Sequence, residues 1–308
     1  MDSLEALFEH DAALVFGAGR SGDVVGAVPP ARLLEAHGLD VVLGGVAWEP
    51  VPKGSRAGPR SFDEIEGIDP VSETVALASG ETRTRDGLEF AETAVARHTD
   101  NRVALVDISR GVDAVREGIA AAVRSLDFDL VVGVDTGGGV LGRGDDPGVR
   151  SPVTDGIGLV ALDDLATDAC LGVFGYGSDG ELALDELEAR IAAVAARDGL
   201  LGAWGLTPRV RDELEGLLAH VDTEASRGPV AAARGESGER AIRGGDLSVR
   251  LTPASPVTSS FDPGAVAATS RIATRVRDTD GLAEATAALE AMGLQSEFET
   301  ERRRLEGS

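Results

Sequence analysis

The chain has 308 residues, 43% of them apolar, enough for a large core and far from the composition of a disordered protein. Its formal net charge is −24, from 53 acidic against 29 basic residues. That excess argues against partners held through phosphate neutralisation, so neither nucleic acid nor an anionic membrane surface is expected.

The first strand signal is Ala12 to Phe16. It runs into Gly17-Ala18-Gly19-Arg20-Ser21-Gly22-Asp23, a G-x-G-x-x-G match, then a helix over Val24–His37 and a strand over Asp40–Leu43. This is the order a dinucleotide fingerprint requires, with Gly17, Gly19 and Gly22 letting a phosphate approach a helix N-terminus. Three features argue against a nicotinamide cofactor. Asp23 follows the third glycine directly, Glu49 lies too far along to serve as the ribose acid, and Pro29-Pro30 would kink or delay the helix. Asp23 reads as a cap, a metal ligand or a substrate ligand. Residues 44–92 have the Pro/Gly density of a long loop, with short strands or a turn after Ser72. Trp48 is placed there to stack on a planar ligand or fill the core. Lys53, Arg56 and Arg60 form one basic patch, either anion-binding or solvated.

The strand Arg102–Ile108 carries Asp107 near its carboxyl end, and a helix over Val112–Leu126 follows. The next strand, Leu130–Val134, ends in Asp135 and three glycines. On parallel neighbours, Asp107 and Asp135 would meet at one sheet edge, where open α/β sheets bind ligands. Two carboxylates there suit a divalent cation or a division of acid and base roles. The alternative is that each caps the helix after it. Gly137 and Gly138 would offer backbone N–H groups to an anion. Ser151 is read as the cap of a helix over Gly156–Leu165, with Asp155 near its first turn. A fourth strand, Leu171–Phe174, again ends in glycines and acids. Of these, Asp179 is favoured over Glu181, because an acid in a helix's first turn is usually only a dipole partner.

Gly199–Gly205 reads as an inner strand or a glycine-rich loop. A helix begins at Thr207-Pro208 and runs to about His220. Residues 223–239 are small and polar, and a β-hairpin follows over 241–251. A turn stands at Phe261-Asp262-Pro263, a short helix covers Leu282–Met292, and ERRRLEGS reads as a frayed tail. The single Cys170 excludes an internal disulfide and reads as a buried structural thiol. No histidine lies beside the Gly/Asp turns, and no G-x-S-x-G, H-E-x-x-H or G-K-[ST] motif occurs. No apolar run reaches transmembrane length. The acidic start lacks the basic segment of a signal peptide, so a cytoplasmic location is expected. With one lysine and a large acidic excess, the composition is that of a protein kept soluble in a salt-rich cytoplasm, where screening shortens self-repulsion.

The blocks GAGRSGDVVGA, GLDVVLGGVAWE, SETVAL, VVGVDTGGGVLGRGDDPGVRSPVTD, GVFGYGSDGEL and LLGAWGLTP resemble an uncharacterised family, a domain of unknown function of archaea and actinobacteria. The resemblance spans nearly the whole chain and implies a soluble single-domain protein with no assigned activity. It also implies a second Asp where this chain has Gly139. The Asp-Thr-Gly-Gly turn with Gly142-Arg143-Gly144 is similar, over a short stretch, to the Gly/Asp loop of glutamate cyclase-like lyases.

The expected fold is α/β, a Rossmann-like three-layer sandwich with a mostly parallel sheet and a small C-terminal β-hairpin/helix extension. It is read as one domain over 1–308, with a core over 1–222 and the extension over 223–308. The expected function is that of a lyase or hydrolase acting on a small anionic or phosphorylated metabolite. Asp107, Asp135 and Asp179 would be catalytic. Gly17, Gly19, Gly22, Gly137, Gly138 and Ser151 would hold the anion. Asp23, Asp135 and Asp155 would hold a divalent metal, with Mg²⁺ the first to test. The alternatives are a non-catalytic sensor and an oxidoreductase binding NAD(P) or another nucleotide at Gly17–Gly22. A homo-oligomer is compatible with all of these.

Overall fold

Strand β1 (Ala12–Arg20) is the axis of the structure, a computed structural model that describes residues 1–50, 56–99 and 101–307. After it come α1 (Asp23–Gly26), α2 (Val28–Ala36), β2 (Asp40–Val46), β3 (Ile65–Pro70), β4 (Val75–Thr84), α3 (Ala91–Thr99) and β5 (Val103–Val106). Then follow α4 (Val112–Ser125), β6 (Leu130–Thr136), α5 (Pro152–Asp163), β7 (Asp168–Phe174), α6 (Leu184–Ala195), β8 (Leu200–Gly205), α7 (Pro208–Leu217) and α8 (Glu224–Ala233). The chain ends with the hairpin β9 (Gly238–Ile242) and β10 (Leu247–Leu251), β11 (Val257–Phe261), α9 (Pro263–Ala267), α10 (Arg271–Arg277), α11 (Leu282–Glu290) and α12 (Glu297–Glu306).

The central sheet has nine strands in the order β3-β4-β5-β2-β1-β6-β7-β11-β8. The five from β5 to β7 are parallel, and β4 and β11 run against them. With helices on both faces this is the expected Rossmann-like three-layer sandwich. Period-two alternation builds the two faces. Leu14, Phe16 and Ala18 of β1 pack in one apolar cluster with α4 and α5. Ala13 and Val15 pack in the other with α1, α2 and α7.

Several boundaries differ from the sequence reading. β1 does not stop at Phe16 but carries Gly17 and Gly19 to Arg20. The predicted helix over Val24–His37 is two: α1 is one turn, and α2 restarts with Pro29 and Pro30 in its first turn, where a missing N–H costs nothing. β8 is an edge strand rather than an inner one, with Leu200 and Trp204 each 41% exposed. β11, from the C-terminal extension, lies between β7 and β8. Residues 224–233 form a helix, and the expected frayed tail is the last part of α12.

Candidate functional site

Among the parallel strands the order reverses at β1, with β2 on one side and β6 on the other. In such sheets the connections part at this point and leave a crevice past the carboxyl ends of the strands. β6 ends there with Asp135 and Thr136. Val132 and Val134 face the α1–α2 side, so by alternation Thr136 faces that side too, and Asp135 faces α5. α1 supplies Asp23, the first turn of α5 supplies Asp155, and the β7–α6 connection supplies Asp179 and Glu181. All five acids line one cavity of about 260 Å³, with Arg20 and Arg243 on its wall.

The glycines make room for these carboxylates. A Cβ on Gly19 would overlap the Asp23 carboxylate and stand 3.6 Å from Asp155 Oδ1. One on Gly22 would overlap Thr223, and one on Gly17 the backbone at Asp23–Val24. Gly137, at φ 112°, leaves space that the Asp179 carboxyl fills. The first glycine motif is therefore packed by side chains and by the one-turn α1, not open to a pyrophosphate. The second turn also spends its donors internally. The Gly138 N–H donates to Asp135 Oδ2 at 2.8 Å, and the Gly137 N–H to the Phe174 carbonyl at 2.7 Å. Gly137 and Gly138, expected to donate to an anion, here direct their amides to the protein's own acceptors.

Crowded burial raises every carboxyl in the group. Asp135 and Asp155 are held well above the usual carboxylate range, first by burial. Next come the charges of Asp23 and Glu181 on Asp135, and of Asp135 and Glu181 on Asp155. Burial likewise pushes Asp23 and Asp179 up to about 7 and Glu181 up to about 8. Close carboxylates with few cations share protons rather than all ionise. The Thr136 hydroxyl, 4% exposed, lies beside the Asp23 carboxyl and favours its charged form. Ser21, at the crevice mouth, holds φ 49°, a strained value for a residue with a Cβ, and donates to Glu49 Oε2 at 2.9 Å.

The C-terminal helix closes the crevice from the other side. Glu297 of α12 accepts from the Val153 N–H at 3.1 Å and the Thr154 N–H at 2.7 Å, capping α5. Ser151 was expected to cap this helix; its side chain instead accepts from Arg20 Nε at 3.3 Å. One turn on, Glu301 accepts from Trp48 Nε1 at 3.0 Å, the Gly58 N–H at 3.0 Å and Arg20 Nη1 at 2.6 Å. A second chamber, of about 640 Å³, lies beyond the acids and shares Arg20, Pro50, Glu181 and Arg243 with the first cavity.

Of the predicted site residues, Asp23, Asp135, Asp155 and Asp179 meet, with Gly22 and Ser151 on the same wall. Asp107 does not join them. It is on the same sheet edge, but β2 and β1 stand between β5 and β6, roughly 14 Å at ~4.8 Å per strand spacing. Its carboxylate accepts the Ser109 N–H at 2.8 Å, a turn cap, and burial raises its pKa. Trp48 is buried core. Arg56 pairs with Glu64, Arg60 is 2% exposed, and Lys53 lies outside the described residues. Cys170 is fully buried, with its thiol pushed up to about 12 by burial. Among the described residues, no three or more His, Cys, Asp or Glu side chains are placed together to hold a metal ion. No described helix is long and apolar enough to cross a membrane.

Arg20, Arg243, Glu297 and Glu301 escaped the sequence reading, and Glu181 was ranked below Asp179. Glu181 left a signal, lying two residues past Asp179 in the same Gly/Asp turn. The others depend on long-range packing. No curated protein and no solved structure matches the sequence. The family model described as a protein of unknown function, DUF1152, matches residues 14–305, which include every residue of the acidic crevice, and the chain therefore belongs to the DUF1152 family.

Proposed function

We propose that the crevice binds a small anionic metabolite and performs acid–base chemistry on it, of the lyase or hydrolase class. The observation that carries this reading is the group of five carboxyls at the sheet's reversal point, three of them poised at about 7 to 8. Groups titrating near neutrality transfer protons most effectively at that pH, and such perturbation clusters at functional sites. Asp135 and Asp179 accept backbone N–H groups, from Gly138 and Glu181, that favour their charged forms and suit them as bases. Asp155 accepts no hydrogen bond among the described residues and faces four other carboxylates. It is the natural holder of a proton and so the acid. Arg20 and Arg243 supply the positive field that an anionic substrate needs beside these acids.

A divalent cation held by Asp23, Asp135 and Asp155 is the second reading. The Thr136 hydroxyl, which lines the same cavity beside Asp23, would add a neutral oxygen ligand. This reading ranks second because the carboxylates would have to be drawn together around the ion.

The test is a thermal-shift and calorimetric screen in high salt. It uses small phosphorylated and carboxylated metabolites, NAD(P), Mg²⁺ and Mn²⁺, on the wild type and on Asp135→Asn. The expected result is stabilisation by a metabolite without added cation, growing with ligand concentration over Kd and lost in Asp135→Asn. Stabilisation by the cation alone, lost in Asp23→Asn, would promote the second reading. A shift with NAD(P) that survives in Asp135→Asn would replace both. No shift with any ligand would refute the proposal.

A further inference from the structure

The larger chamber beyond the carboxylates sets beside Arg243 a second arginine, Arg150, that the acid–base reading leaves unused. Each carboxylate on its wall is engaged. Asp146 pairs with Arg190 and accepts the Arg143 N–H at 2.6 Å. Glu297 caps α5, and Glu301 serves Arg20, Trp48 and Gly58. Glu181 accepts the Arg150 N–H at 2.9 Å and keeps only a loose 3.9 Å contact with the Arg243 guanidinium.

Two arginines on the same wall differ in their partners: Arg243 faces Glu181, and Arg150 faces no carboxylate among the described residues. The Arg150 side chain has no carboxylate partner among the described residues, in a chain where acids outnumber bases 53 to 29. Arg243 points inward from the β9–β10 turn, its Nη2 donating to the Asp179 carbonyl at 2.8 Å, with its side chain 24% exposed. The two side chains line the same chamber. Burial first, and the Arg150 charge second, lower the pKa of Arg243, against Glu181, Asp179 and Glu224, which raise it. Neighbouring guanidiniums that repel each other at the edge of a cavity are relieved by a dianion between them. The guanidinium fork matches phosphoryl oxygens in pairs.

We propose that Arg150 and Arg243 form a phosphoryl-binding subsite in this chamber, so that the substrate is a small phosphomonoester whose uncharged polar end reaches Asp135, Asp155 and Asp179. This deepens the proposed function and rests on it for the role of the carboxylates. The geometry is economical. The dianion stays on the arginine side of Glu181, and the reacting end enters the smaller cavity, where the charge balance is set by shared protons.

The experiment is equilibrium binding of inorganic phosphate to the full chain in concentrated KCl at pH 7.5, with malonate as the carboxylate comparison. The proteins are the wild type, Arg150→Gln, Arg243→Gln and Asp135→Asn. Arg150 is exposed, so its variant keeps the fold even if the Arg243 variant does not. The wild type is expected to bind phosphate, at least tenfold more weakly in Arg150→Gln and Arg243→Gln and unchanged in Asp135→Asn. No phosphate binding by the wild type, or an Arg150→Gln variant that binds like the wild type, overturns the proposal. Malonate bound as tightly as phosphate, with the same arginine dependence, overturns the phosphoryl assignment. Phosphate binding that depends on the arginines while no metabolite binding depends on Asp135 would retain this subsite and sink the acid–base reading. The reverse pattern would sink the subsite alone.

Discussion

Replacing Glu181 by Gln isolates the charge stored in the crevice. The Glu181 carboxyl is 11% exposed and titrates at about 8 rather than its ordinary 4.5, from burial first and the Asp179 charge second. An acid whose pKa rises on folding binds its proton more tightly in the native state. Its contribution is therefore fully present below about pH 4.5 and is lost as pH climbs through about 8. At ~1.36 kcal/mol per unit, the three and a half units set an upper limit near 5 kcal/mol. Water reaching a partly open crevice screens this, so about 2–3 kcal/mol is expected. Gln keeps a carbonyl oxygen for the Arg150 N–H and can turn its amide toward Asp179. Glu181→Gln should thus match the wild type at pH 5 and exceed it at pH 9 by about 4–6 °C in Tm, at roughly 2 °C per kcal/mol for a chain of this size. The assay is calorimetry of both proteins from pH 5 to 9 at fixed ionic strength, after dialysis against a chelator. A Tm difference that does not change with pH, or a variant less stable at pH 9, would refute the stored-charge account.

Three further outcomes follow from particular contacts. Glu297→Ala uncaps Val153 and Thr154 at the start of α5 and should cost about 1–2 kcal/mol in urea unfolding, most of it recovered by Glu297→Gln. Arg20→Met leaves the Glu301 carboxylate, 2% exposed, without its cation and should cost about 3–5 kcal/mol. The double variant with Glu301→Gln should cost less than the two single variants added together, and additive costs would mean the pair is uncoupled. Gly19→Ala places a Cβ on the Asp23 carboxylate, so Asp23 should move out toward water and titrate nearer its ordinary 3.8 than 7. Carboxyl carbon NMR checks this, and an unchanged Asp23 titration would show that the close approach does not hold that carboxyl in place.

Most strands and helices of the parallel core were legible because their signals are local. Leu130–Val134 is a short Val-rich run closed by glycines, and the stripe Leu184, Leu187, Ile191, Val194 repeats at helical spacing. Four of the acids in the crevice could be picked out the same way, since each stands at the end of a strand, in the first turn of a helix or in a Gly/Asp turn after a strand. The glycine motif after β1 was legible as a pattern and misleading as chemistry. The same glycines that would admit a phosphate admit Asp23, Thr223 and the backbone of α1, and nothing local distinguishes these occupants. Asp107 and Asp135 look equivalent along the chain because both end parallel strands. Their separation depends on strand order, which puts β2 and β1 between them.

Read alone, the sequence determined the fold class and the acidic Gly/Asp turns at the carboxyl edge of the sheet, because hydrophobic periodicity and Gly/Asp turns act over a few residues. Only the tertiary structure decided which acids share one cavity, that Glu297 and Glu301 of the last helix reach back across about 140 and 280 residues to cap α5 and pair with Arg20, and that Arg150 stands without a carboxylate partner among the described residues. Those contacts join residues with no mutual constraint along the chain, and they exist only once the strand order has brought their elements together.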